Sequence, residues 1–241
     1  MNWLKYSSPQ TFYPLAGKLV PWFATAAAIL IAYGLYLGLL IAPTDFQQGD
    51  SYRIIFVHVP ASILSMFLYV VMAIYATLGI TLNARLSYTM ASSIAPTGAM
   101  FTFLALFTGS FWGKPTWGAW WVWDARITSE LILLFLYIGY MSLQAAIDDQ
   151  RRSDRASGVL AIVGVINVPI IYFSVKWWNT LHQGSTINMG KSSTMAPIML
   201  KAMLMMMVAF WLYSVAVILT RARRTIEDRE QTAAWLQEVK E

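Results

Sequence analysis

The chain contains no cysteine. Disulfides, thiolate metal ligands and thiol redox chemistry are therefore excluded for this subunit. Charge is also scarce. Only 12% of the 241 residues are Asp, Glu, Lys or Arg, 58% are hydrophobic, and mean hydropathy is +0.54. A water-soluble domain of that composition would leave too much apolar surface uncovered, so the chain reads as an integral membrane protein. A Gly-x-x-x-x-Gly-Lys-Ser/Thr loop is missing, and any ATP-driven step needs another chain. Ionisable residues are nearly absent from the middle of the apolar stretches, Glu130 and Lys201 lying near their outer ends. An ion-coupled pump places such groups along a path across the bilayer, so this function is disfavoured.

What is present in quantity is hydrophobic length. Six stretches can cross a hydrocarbon core that needs about 20 apolar residues: roughly 20–42, 54–78, 88–111, 127–147, 158–175 and 197–220. The expected fold is an all-α bundle of six transmembrane helices forming a single domain over residues 1–241. The fifth stretch is the shortest and carries Asn167 and Pro169, which place a kink or a shifted limit there. The first stretch reads as an uncleaved span rather than a secretory signal.

With both termini inside, Lys5, Lys18, Arg85, Arg151, Arg152, Arg155, Arg221, Arg223, Arg224, Arg229 and Lys240 are cytoplasmic. Arg53, Lys114, Arg126, Lys176, Lys191 and Lys201 remain outside, which is the positive-inside distribution. The net charge of +5 then reflects membrane orientation and not a nucleic-acid surface.

On the outer side the chemistry concentrates. Trp112, Trp117, Trp120, Trp121 and Trp123 fall within residues 112–123, punctuated by glycine and followed by Asp124. Indoles are flat and apolar with one N–H donor, so such a cluster suits a planar aromatic ligand at a membrane surface; an interfacial aromatic belt is the alternative. The only two histidines, His58 and His182, lie on the same outer side next to aromatic segments. Two imidazoles on opposite faces of a porphyrin would give six-coordinate iron, and no carboxylate or thiol cluster suggests a competing metal site.

Arg53, Arg126 or Lys114 could anchor a propionate, with snorkelling as the rival role. Asp124 either orients a ligand-facing group or caps the helix beginning near Ile127. Pro60, two residues after His58, suggests the outer end of the second span. The run Met203–Met207 is read as packing, since consecutive residues do not share a helical face.

The stretch from Trp117 to Asp124 resembles the "WWD" signature of haem-handling proteins in cytochrome c biogenesis. Together with length, six spans and a histidine flanking the motif on each side, it is similar to the CcmC family of the system I maturation machinery. That resemblance implies a carrier rather than an enzyme, located in the bacterial inner membrane. It would bind haem b at the periplasmic face and deliver it to the haem chaperone CcmE, alongside the small subunit CcmD and the transporter subunits CcmA and CcmB. It further implies that His58 and His182 are axial ligands, and that Trp112, Trp117, Trp120, Trp121, Trp123 and Asp124 form the haem platform and docking surface. The other readings are a membrane b-type cytochrome and a haem or solute permease. Two histidines are too few for two bis-histidine haems, and the apolar spans show no polar route.

Overall fold

The computed structural model describes residues 6–178, 182 and 195–240. Lys5, Lys191 and the immediate neighbours of His182 at 179–181 and 183–184 lie outside the described residues. The helices are α1 (Pro9–Tyr36), α2 (Ile55–Leu82), α3 (Arg85–Trp117), α4 (Ala125–Ala146), α5 (Gln150–Gly164), α6 (Asn167–Trp177), α7 (Pro197–Arg229) and α8 (Ala234–Lys240). No strand occurs among the described residues.

Among the described residues, six runs are long and apolar enough to cross a membrane: Pro9–Ile41, Asp50–Leu82, Arg85–Trp117, Ala125–Ala146, Gln150–Trp177 and Pro197–Arg229. The molecule is thus an all-α six-helix membrane bundle, as its apolar stretches imply. The helices outrun those stretches because backbone N–H and C=O groups must stay paired through the interfacial zone as well as the hydrocarbon. So α1 begins at Pro9, a residue suited to a first turn where its missing N–H is not needed, and continues through Pro14 and Pro21 to a π-helical turn, Leu37–Ile41.

Two expectations need correction. Pro60 does not mark the end of the second span. A 3-10 turn at Asp50–Ile54 leads straight into α2, and Pro60 lies inside that helix with His58 already in its first turn and a half. The tryptophan segment is likewise not all loop. Helix α3 carries Trp112 and Trp117 on its last turns and ends at Gly118, whose φ of +77° gives the left-handed residue that lets the chain leave a helix. Only residues 118–124 are irregular.

The fifth span does break, between α5 and α6. Asn167 at the break donates its side-chain N–H to the Ser129 carbonyl on α4 at 2.8 Å. Pro169 in the first turn of α6 has no donor to lose. A polar residue buried in the bilayer is therefore satisfied by a neighbouring helix.

Small residues set the helix approach. Helices α2 and α3 pack together and bury the small side chains Ala61, Ala91 and Ala95, Ala76 of α2 lies against Gly158 of α5, and α1 lies mainly on α7. A Cβ on Gly98 would stand 2.1 Å from the Tyr137 ring, so α3 and α4 can close around that tyrosine only with glycine there. Tyr137 donates to the Ser65 carbonyl on α2 at 2.8 Å, tying three helices together beneath one end of the bundle. At the opposite end a buried Asp154 is paired with Arg229 at 2.9 Å, and Gln144 and Gln150 donate to the same carboxylate.

Candidate functional site

Helical spacing places His58, Ser62 and Ser65 on one face of α2, and Arg126 and Glu130 on one face of α4. His58, Ser62, Arg126 and Glu130, together with Ala105, Gly109 and Ser110 of α3, Trp120 and Trp121 of the loop, and His182, line a cavity of about 30 Å³. The two histidines, 124 positions apart in the chain, thus share one space.

Each imidazole is held through Nδ1. His58 Nδ1 is 3.0 Å from Thr108 Oγ1, and that hydroxyl donates its only hydrogen to the Leu104 carbonyl at 2.6 Å. With its hydrogen on that carbonyl the threonine oxygen accepts from His58, and in that tautomer the ring's lone pair is on Nε2. The contact depends on Gly109, where a Cβ would come within 2.9 Å of His58 Cε1.

His182 Nδ1 lies 2.9 Å from Asp124 Oδ2, and a carboxylate can only accept. The lone pair is again on Nε2. Burial pushes the His182 imidazole below its ordinary range while the Asp124 hydrogen bond pulls the other way. The net downward direction favours neutral imidazole, the form that ligates metal.

Asp124 makes the expected helix cap and a second contact, to His182. Its Oδ1 accepts from the Ile127 N–H at 2.8 Å and caps α4, while Oδ2 orients His182. The first turn of α4 and the histidine are thereby fixed by one side chain.

The tryptophans separate by position. Trp112 packs edge-on to His58 with centroids 5.7 Å apart and donates to Gln48 at 2.7 Å. Trp117 packs on His182 at 4.8 Å. Trp120 and Trp121 line the cavity, and the buried Trp121 Nε1–H has no hydrogen-bond partner among the described residues. Trp123 is 77% exposed, in edge contact with Trp121.

The cations separate as well. Arg126 reaches the cavity, and no carboxylate forms an ion pair with it among the described residues. Arg53 is occupied by Asp50 at 2.9 Å and the Gly38 carbonyl at 2.7 Å, outside the cavity lining. Lys114 donates to the Gly118 carbonyl at the end of α3.

Three residues were not singled out from the sequence. Thr108 and Ser65 carry no signal distinct from ordinary small polar residues in a packed helix. Glu130 did carry one, a carboxylate within an apolar span, but it read as a first-turn residue near the surface. It is buried and hydrogen-bonded to Ser65 at 2.7 Å.

Fold and cavity together define a multi-pass helical membrane protein with a paired-histidine, tryptophan-flanked site at one end of its bundle. The profile of the family described as heme exporter protein C matches residues 2–237. The heme exporter protein C of Escherichia coli (strain K12) is 46% identical over 231 residues, covering 96% of this chain and 93% of the relative. That of Haemophilus influenzae is 42% identical over 236 residues, 98% and 96% of the two chains. A ccmC-like mitochondrial protein of cytochrome c biosynthesis from Marchantia polymorpha is 49% identical over 167 residues, 69% and 68%. The chain belongs to the CcmC family, heme exporter protein C.

Proposed function

We propose that this protein binds haem b at the periplasmic face of the bacterial inner membrane and presents it to the chaperone CcmE during c-type cytochrome biogenesis, as a carrier and not an enzyme. The observation that carries the reading is the pair of imidazoles in one cavity, each tied back at Nδ1 so that Nε2 holds the lone pair. Such outer partners are how proteins hold a histidine in a metal-ready tautomer. The other donors suit the same cargo. Among the described residues Arg126 pairs with no carboxylate and the Trp121 Nε1–H has no acceptor, which suits both to propionate oxygens, whereas Arg53 is already engaged.

Access follows from volume. Pockets for ligands of this class hold about 300–1,000 Å³. A cavity of about 30 Å³ admits a macrocycle only when the 118–124 loop and His182 stand farther from α2 and α3. The same loop bears the exposed Trp123, so opening for haem and contact with a chaperone fall on one element. CcmD, CcmA and CcmB are the further partners that family membership suggests, with ATP-driven release assigned to the transporter subunits.

The reading is tested by measuring haem per protein after purification with and without CcmE. Haem should accumulate on this chain when the chaperone is absent and fall when it is supplied; a preparation free of haem under both conditions refutes it. Sidedness is tested separately. Reporters fused after Asp149 and after Lys114 should report the cytoplasm and the periplasm respectively, and identical signals would overturn the orientation.

Chaperone docking can be separated from cargo binding at Trp123. Its exposure means that Trp123→Ala leaves the cavity lining in place. Loss of an aromatic anchor at an interface is worth about 2 kcal/mol, about thirtyfold in affinity. Co-purified CcmE should therefore fall sharply while haem content and membrane abundance stay near wild type. Unchanged capture would confine Trp123 to membrane anchoring.

A further inference from the structure

A carboxyl group lies against the histidine cavity with no cation bonded to it. Glu130 is 6% exposed, one turn deeper along α4 than Arg126, and no ion pair reaches it among the described residues. Its hydrogen-bond partner is Ser65, whose Oγ is 2.7 Å from Oε1 and 2.8 Å from the Ser62 carbonyl. One hydroxyl hydrogen cannot serve both acceptors. With Glu130 ionised, Ser65 donates to the carboxylate; with Glu130 protonated, the acid donates to Ser65 and Ser65 turns to the carbonyl. The group keeps a hydrogen bond in either charge state.

A buried, unpaired carboxylate is unfavourable, and an apolar side chain of the same size would pack this position more cheaply. Its presence makes sense if a cation visits the cavity. A porphyrin dianion around ferric iron with two neutral imidazoles leaves one positive charge at the core, and around ferrous iron it leaves none. We propose that Glu130 is the countercharge that makes this cavity hold ferric haem in preference to ferrous haem. The assignment rests on the haem reading above.

The surroundings are consistent with that division of charge. His58 of α2, Arg126 of α4 and His182 line the cavity with the carboxyl, and Tyr137 of α4 lies near it with Tyr69 of α2 packed on its ring. Helix α3 presents Ala105, Leu106 and Gly109, which carry no charge. The guanidinium stands one turn nearer the start of α4 than the carboxylate, and both line the cavity that holds the two imidazoles. In a site shielded from water, a carboxylate that lines the cavity favours the more positive charge state of the cargo held there.

The test is a potentiometric titration of haem-loaded protein in lipid nanodiscs, with dithionite as the one-electron reductant. Glu130→Gln keeps the size of the side chain and removes the charge. It should retain the low-spin bis-imidazole spectrum and raise the midpoint by about 59 mV or more, a tenfold loss of ferric over ferrous preference. Glu130→Asp should stay close to wild type. An unchanged midpoint in Glu130→Gln with an intact spectrum overturns the assignment and leaves the haem reading standing. Wild-type protein that takes up no haem overturns both. Should Glu130→Gln fail to accumulate in membranes, Ser65→Ala removes the donor that favours the ionised carboxyl and should shift the midpoint in the same direction; no shift there is equally decisive against the proposal.

Discussion

His58→Ala and His182→Ala are each expected to abolish the six-coordinate, low-spin haem spectrum of the membrane-purified protein. Mutating a partner that merely orients a metal ligand lowers affinity about 10–100-fold, and removing the ligand itself should exceed that. The chain has no cysteine and no third histidine to take the vacated position. Exogenous imidazole should restore much of the spectrum by filling the vacated position, since the indoles and Arg126 remain in place. Spectra unchanged in both variants would show that the histidines serve packing alone.

Asparagine in place of Asp124 should produce a protein that folds normally but no longer ligates through His182. Asn is as good a helix cap as Asp, so its Oδ1 can still accept the Ile127 N–H and hold the start of α4. The amide then presents N–H₂ where Oδ2 stood. His182 Nδ1 must accept that hydrogen bond, which moves the ring proton to Nε2 and removes the lone pair from the metal-facing nitrogen. Asp124→Ala, by contrast, loses the cap as well, about 0.5–2 kcal/mol of stability. Haem per protein and thermal stability, measured on both variants, separate the effects: the asparagine variant should fail only in haem retention, the alanine variant in both. Full haem retention by Asp124→Asn would show that the carboxylate acts only as a cap.

The bundle was legible because bilayer physics reads composition almost directly. A span needs about 20 apolar residues whatever its partners, so the six stretches and the break near Asn167 could be located from the chain alone. Their ends could not. Whether Trp112 and Trp117 belong to α3 depends on where Gly118 adopts a positive φ, and Pro60 lies inside α2 because that helix starts at Ile55, directly after the 3-10 turn. These are choices among near-equal local conformations, settled by what the neighbouring helices bury.

The site divides in the same way. Scarcity singled out His58 and His182, and density singled out the tryptophans, since both are properties of a list of residues. The tautomers are properties of distance. Thr108 and Asp124 fix them from 50 and 58 positions away, and nothing in either residue type announces a histidine partner.

Arg53 and Arg126 look equivalent in the chain, each beside an outer helix end, yet one is closed by Asp50 and Gly38 while the other reaches the cavity. The amino-acid sequence by itself determined a cysteine-free, six-span membrane protein with two histidines and an indole cluster, because hydrophobic length and residue inventory need no partner to act. Only the tertiary structure decided which polar groups face one another, because hydrogen bonds and charge compensation depend on separations of a few ångströms that only helix packing sets.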